Sequence, residues 1–240
     1  VSFNVMEDVG PERRHLVVSG LMSAFEKLFG EESFSDRMQY ILQNTILALL
    51  EYPDATMLGI NKMLTDKTYR NDVIANITDP SVKNYWVKEY AGYTERFAAE
   101  AIPAIQNKIG QFTSNPLIRN IIGQPKSSFD IRNVMDDRKI LIVNLNRGLI
   151  GEENAALLGA LLVTKIQLGA MSRADIPADE RIPFYLYVDE FQNFATDSFA
   201  TILSEARKYA LNLTVANQYI AQMSMGVRDA VFGNVGSVVS

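Results

Sequence analysis

The chain has 240 residues, 48% of them hydrophobic and 21% charged, a composition ordinary for a globular protein and long enough for one large domain or two small ones. It holds no cysteine and a single histidine, His15, which excludes disulfides, thiolate metal sites and a zinc constellation. The net charge of −5 divides as −3 over residues 1–125 (12 basic, 15 acidic) and −2 over 126–240 (11 basic, 13 acidic), so neither half is a basic module and any nucleic-acid footprint must be local or come from other parts of an assembly.

No apolar run approaches the roughly 20 residues of a membrane span, and no basic-then-apolar leader opens the chain; the segment reads as cytoplasmic. Val1 is not an initiator methionine and the chain stops inside the apolar run Val235-Gly236-Ser237-Val238-Val239, so the pattern predicts a piece cut at both ends. From 12 to 123 the apolar period is helical. Val17, Leu21, Ala24, Phe25 and Leu28 recur at steps of three and four, His15 falls at an exposed helical start, and Gly30 is placed as a C-terminal cap. Ser33 or Ser35 can cap a second helix with the stripe Met38, Ile41, Leu42, Thr45, Ile46 and Leu49, before Pro53 forbids continuation. Shorter helices are predicted near 56–64, 67–76 and 80–91, the last capped by Asp79 with Pro80 in its first turn. A longer one over 94–113 carries Phe97, Ala101, Ile105, Ile109 and Phe112, with Pro103 kinking it or starting a new helix. Asn115-Pro116 opens a short one ending near Gly123. Such stripes are core far more often than ligand contacts, and nothing polar converges among them.

After the turn-rich connector Gln124-Pro125-Lys126-Ser127-Ser128 the pattern changes. A buried strand is predicted over 139–145, a long helix from Gly151 to Met171, and a second buried strand over 184–188, whose five consecutive β-formers fit a parallel sheet covered on both faces. A helix near 197–209, a strand over 211–216, a helix including 227–232 and a final strand over 235–239 complete an alternation that implies βαβ crossovers.

Asp189 and Glu190 end the second strand abruptly, and ligands of open α/β sheets bind at that carboxyl edge. An apolar strand closed by Asp-Glu is the Walker B pattern, although a strand stop with solvated acids would look the same in isolation. Asn217-Gln218 ends the next strand, 28 residues beyond Glu190, where an amide can reach a γ-phosphate or its water. Arg207 lies 17 residues after Glu190 on the intervening helix and projects from a different face. Acids, arginine and amide in this order point to an NTPase core.

The run Tyr185-Leu186-Tyr187-Val188-Asp189-Glu190-Phe191-Gln192-Asn193-Phe194, the following Leu203-Ser204-Glu205-Ala206-Arg207-Lys208-Tyr209 and Asn217-Gln218-Tyr219 resemble the type IV secretion coupling proteins of the TraD/TraG class, within the HerA/FtsK superfamily. The resemblance implies an α/β fold: a RecA-like P-loop NTPase core with a mostly parallel sheet and an inserted all-α subdomain. It divides the chain into the end of an upstream core segment (1–11), the all-α insert (12–123) and the core carrying Walker B, finger and sensor (124–240). Ser114 to Gly123 resembles the stretch returning the chain from that insert to the sheet. By the same resemblance Asp189 is the Walker B acid associated with Mg²⁺ through water, Glu190 the catalytic glutamate, Gln218 the γ-phosphate sensor and Arg207 a finger offered to the next subunit. ATP and Mg²⁺ are the implied cofactors. DNA of undetermined strand state, a hexameric ring of copies and secretion-system or relaxase-type proteins are the implied partners. Inner-membrane anchoring would come from upstream sequence.

One departure stands out: no Gly-x-x-x-x-Gly-Lys-[Ser/Thr] occurs in the 240 residues, so the 240-residue chain is expected to be inactive by itself and the P-loop to lie upstream. The alternatives are a HerA/FtsK-like translocase for repair, segregation or packaging, and a non-catalytic helical adaptor on a degenerate NTPase scaffold.

Overall fold

The computed structural model describes residues 1–7 and 10–239, and their side chains except at 31, 95–100 and 197–198. By contact density the chain divides into two compact units, residues 1–22 with 29–128 and residues 23–28 with 129–240.

The first unit is helical. Helix α1 (Arg14–Phe29) contributes its first turns, with His15 exposed at its start and Gly30 beyond its end at φ 82°, the left-handed stop glycine allows. Helix α2 (Asp36–Leu49) is capped by Ser35, whose hydroxyl accepts from the Met38 amide, and buries the whole stripe Met38, Ile41, Leu42, Thr45, Ile46 and Leu49. Helices α3 (Gly59–Thr65) and α4 (Lys67–Asn76) follow, Asp66 capping the second. Asp79 accepts from the amides of Ser81 (2.8 Å) and Val82 (3.2 Å) and starts α5 (Pro80–Asn84), which widens into a π-helical turn, Tyr85–Glu89. There Trp86 is buried and donates its indole N–H to the Asn44 carbonyl at 3.2 Å. Helix α6 (Glu95–Ser114) runs unbroken through Pro103 and buries Ala101, Ile105, Ile109 and Phe112; the Phe97 side chain lies outside the described residues. Helix α7 (Pro116–Ile122) is capped by Asn115. The opening residues belong to this unit: the Phe3 amide donates to the Ile121 carbonyl at 2.9 Å, and buried Asn4 donates to the carbonyls of Ala55 and Pro125, both at 2.9 Å.

The second unit is built on two parallel strands, β1 (Phe184–Val188) and β2 (Leu211–Val215), in register from Phe184↔Leu211 to Val188↔Val215. Helices α8 (Ile131–Asp136), α9 (Arg147–Ile150), α10 (Glu152–Ser172), α11 (Asp197–Glu205, continued as a 3₁₀ turn Ala206–Tyr209) and α12 (Met225–Asn234) complete it. Phe184, Leu186, Val188, Leu213 and Val215 face a core of Val163, Ile166, Phe191, Phe199, Ile202, Val227 and Val231.

Several expectations are corrected here. The β1 strand is not buried on both faces: burial alternates, and Tyr185 (61% exposed) and Tyr187 (72%) face outward beside Asn212 and Thr214. The alternation appears because, among the described residues, one face of this sheet packs on the core and the other is exposed. Residues 139–145 and 235–239 form no strand; Ile140 and Ile142 are 89% and 87% exposed, Val239 97%. An apolar run becomes a strand only where a neighbour pairs with its backbone, and among the described residues β1 and β2 pair solely with each other. Helix α10 with its 3₁₀ extension to Asp175 is, by length and composition, apolar enough to cross a membrane, against the reading of the sequence; 67% of its most apolar window is buried inside the protein. Its small residues explain the close packing. A Cβ on Gly159 would lie 2.1 Å from Cδ1 of Phe194.

Candidate functional site

The site forms where β1 and β2 run out. Phe191 is fully buried with its ring 4.6 Å from that of Phe199, so the chain must turn inward within two residues of the strand end. That turn places Glu190 in the left-handed region (φ 51°, ψ 43°), a conformation costing a non-glycine residue about 1–3 kcal/mol. A single 3₁₀ turn, Phe191–Asn193, follows. It is fixed by Asn193, whose backbone N–H (3.0 Å) and Nδ2 (2.8 Å) both donate to the Glu190 carbonyl, while the Glu190 amide donates to Asp189 Oδ1 at 2.9 Å.

The second strand is stitched to this turn beyond its own end. Ala216 N–H donates to the Val188 carbonyl and Phe191 N–H to the Ala216 carbonyl, both at 2.9 Å. Asn217 and Gln218 are thereby laid beside Glu190. Gln218 Nε2 donates to Glu190 Oε1, and Gln192 Nε2 donates to Glu190 Oε2 at 2.6 Å, so both carboxylate oxygens are held by amides. Two acceptors at the site are buried without a protein partner among the described residues, Gln192 Oε1 and Asn217 Oδ1. Asp189 is exposed and Glu190 half-buried. Behind the turn, Lys27 Nζ donates to the carbonyls of Gln192 (2.8 Å) and Ala195, pinning the loop that carries Gln192.

The structure therefore brings Asp189, Glu190 and Gln218 together and leaves Arg207 apart. Arg207 is exposed in the 3₁₀ turn just before β2, at the amino end of the sheet, whereas the acids lie at its carboxyl end. Five residues of strand separate the two levels, about 16 Å at the usual rise.

No group of three or more metal-ligating side chains occurs among the described residues, so a metal cage built from protein alone is not present. One exposed aspartate suits Mg²⁺ in its other mode, bound through one or two carboxylates and waters with the rest of the shell from phosphate oxygens. The two orphaned acceptors are in keeping with a site that receives donors such as water. By their chemistry Asp189, Glu190 and Gln218 fit the metal and water side of a nucleotide site, while the phosphate-cradling loop is not among these residues.

Sequence reasoning missed Lys27 and the hydrogen bond of Gln192. The first acts across 165 residues of chain and leaves no local signal; the second was visible only as part of the quoted motif.

No family model matches the chain, and no curated protein matches it in sequence. Among solved structures it resembles a bacterial conjugative coupling protein, TrwBdeltaN70 in an unbound monoclinic form, with a TM-score of 0.60 and 16% identity over 95% of this chain and 52% of that one. At that identity the likeness is one of fold. The fold resemblance to coupling proteins suggested by 185–194, 203–209 and 217–219 is shown, and the chain spans about half the length of the protein it matches (52%).

Proposed function

We propose that the chain is the Walker B portion of a coupling-protein-type ATPase, a RecA-like motor that assembles as a ring and moves DNA. The observation that carries this reading is the Glu190 carboxylate, set at the carboxyl end of β1 in left-handed backbone and met there by Gln218 from the end of β2, on a coupling-protein fold. Bound ATP with Mg²⁺ would supply the electrophilic γ-phosphoryl group and most of the neutralising charge. Asp189 would hold the Mg²⁺ through its water shell. Glu190 would orient the attacking water and take up its proton, the role a carboxylate plays at this position of a strand-end site. Gln218, an amide with a donor and an acceptor, would report whether the phosphate side is filled. Residues 12–123, most of which fall in the helical unit, are read as an insert facing DNA or a secretion partner, and the segment as cytoplasmic.

The test is Glu190→Gln in the full-length protein. Nucleotide affinity should stay close to wild type while DNA-stimulated turnover falls about 10²-fold or more, the size of a general-base contribution. Unchanged turnover would reduce Asp189 and Glu190 to a strand stop, whereas an unaltered full-length protein with no turnover at all would favour an adaptor without catalysis.

A further inference from the structure

The Glu190 carboxylate has one donor from each flank. Gln218 comes from the neighbouring strand, and Gln192 reaches back two residues along the chain to Oε2 at 2.6 Å. A bond that short to an ionised acceptor is in the charge-assisted class, about twice the strength of a neutral one. Its direction is fixed by chemistry, since an inverted amide would set Gln192 Oε1 against a carboxylate oxygen. The cost of this arrangement is visible. Gln192 Oε1 is buried with no protein partner among the described residues, so the amide is not placed to satisfy itself. The main chain bearing Gln192 is held in turn by Lys27 on its carbonyl, and the Glu190 main chain by Asn193.

We propose that Gln192 is a positioning residue for Glu190, fixing the rotation of its carboxylate so that the Gln218-facing oxygen Oε1 is presented in one orientation. This rests on the reading of Glu190 as the base. Without Gln192, a carboxylate held at one oxygen only samples rotamers that do not face the water, and the loss falls on the chemical step rather than on nucleotide binding.

The experiment is a double-mutant cycle in the full-length protein with ATP and DNA. Gln192→Ala should lower kcat about 10-fold with KM for ATP changed less than about 2-fold, and should cause no further loss in a Glu190→Gln background, because Gln192 acts only through that carboxylate. Gln192→Glu keeps the shape but replaces the donor by a like charge, so it should lose at least as much as Gln192→Ala; a space-filling role predicts wild-type behaviour instead. Equal losses in both backgrounds, or full kcat in Gln192→Ala, overturn the inference. Failure of the underlying reading looks different: Glu190→Gln would itself keep turnover. A second measurement is independent of activity. In the 240-residue chain the Gln192 side-chain amide resonance should carry the downfield shift of a proton bonded to carboxylate and lose it in Glu190→Ala, and a free-amide resonance in the unaltered chain would refute the contact.

Discussion

Arg173 is the residue on which the entry to both strands depends, and replacing it by methionine is the sharpest test of the second unit. Its side chain is 0% exposed. Nη1 donates to the Tyr209 carbonyl at 3.1 Å and Nη2 to the Ile182 carbonyl, two residues ahead of β2 and β1 respectively. Nε lies 3.0 Å from Asp136 Oδ1, an ion pair in which the N–H is not aligned for a hydrogen bond. Arg173→Met keeps the volume and strands two carbonyls and part of a carboxylate. Breaking one side of a buried pair costs about 3–5 kcal/mol. Asp136 would retain Arg132, whose Nε is 3.2 Å from Oδ2 and which is itself anchored at Asp175 through two bonds of 2.7 and 2.9 Å. The lower end, about 3 kcal/mol, is therefore expected, a third or so of the stability of an ordinary domain. Urea denaturation of the 240-residue chain followed by circular dichroism measures it, with an unchanged m-value confirming the same unfolding. A loss below about 1 kcal/mol, the value of a surface ion pair, would refute the assignment of Arg173 as the tie between the strand ends.

Gly159→Ala sets a Cβ 2.1 Å from Phe194 Cδ1 and 2.5 Å from Cε1, so the ring must move by more than 1 Å. Overpacking of about 1–3 kcal/mol should exceed the roughly 1 kcal/mol gained in helix propensity, Phe194→Leu should restore stability, and a net gain in urea for the single variant would sink the packing argument. Glu51 accepts from the Thr78 amide (2.9 Å), the Thr78 hydroxyl and the Asp79 amide (3.3 Å), with Arg14 Nη1 3.3 Å away. Burial alone would raise its pKa, but these bonds and the guanidinium outweigh burial and hold the carboxyl below its ordinary value. Its stabilisation is therefore present above the unfolded carboxylate pKa and lost as pH falls through the depressed folded one; Glu51→Gln should flatten that acid limb of a pH–stability curve, and an unaltered limb would count against it. Arg207→Ala in the full-length protein should abolish DNA-stimulated hydrolysis with nucleotide affinity near normal, and mixing with Glu190→Gln subunits should recover part of it. Full activity of the arginine variant alone would leave Arg207 a solvated basic group.

Local chemistry was legible where the sequence carries its own partner. Ser35, Asp79 and Asn115 each find their amide donors within three residues, and the α2 stripe is buried because a 3.6-residue period needs only one apolar neighbour surface. Strands are another matter. The apolar run 139–145 reads as well as 184–188, yet among the described residues only the latter has a partner, and nothing within a run of seven residues says whether a pairing backbone will lie beside it. Helix α8 was overlooked although Asp130 caps it at the Asn133 amide (2.7 Å), because six residues are too few for a period to show. At the site, Asp189, Glu190 and Gln218 stand out because strand ends in a parallel pair are neighbours by topology. Lys27 and Arg173 could not be read, since their acceptors are carbonyls, which every residue supplies.

The position of Arg207 constrains how any motor built on this unit could work. Arg207 precedes β2 and Glu190 follows β1, and because the strands are parallel and in register these places are opposite ends of the same pair. An arginine side chain does not span a rigid five-residue strand of about 16 Å, and both ends are fixed, one by the left-handed turn at Glu190 and the other by the left-handed Ala210 (φ 55°) and the Arg173 ties. Within one copy, Arg207 therefore cannot reach a phosphate bound beside Glu190. If it acts on nucleotide at all, it acts on that of another copy, whose carboxyl strand edge must face this copy's amino edge. Such an interface is head-to-tail rather than two-fold, and repeated contacts of that type close into a ring or run on as a filament. The same geometry that removes Arg207 from the local site makes recovery on mixing the informative result, because no rearrangement inside a single chain could produce it.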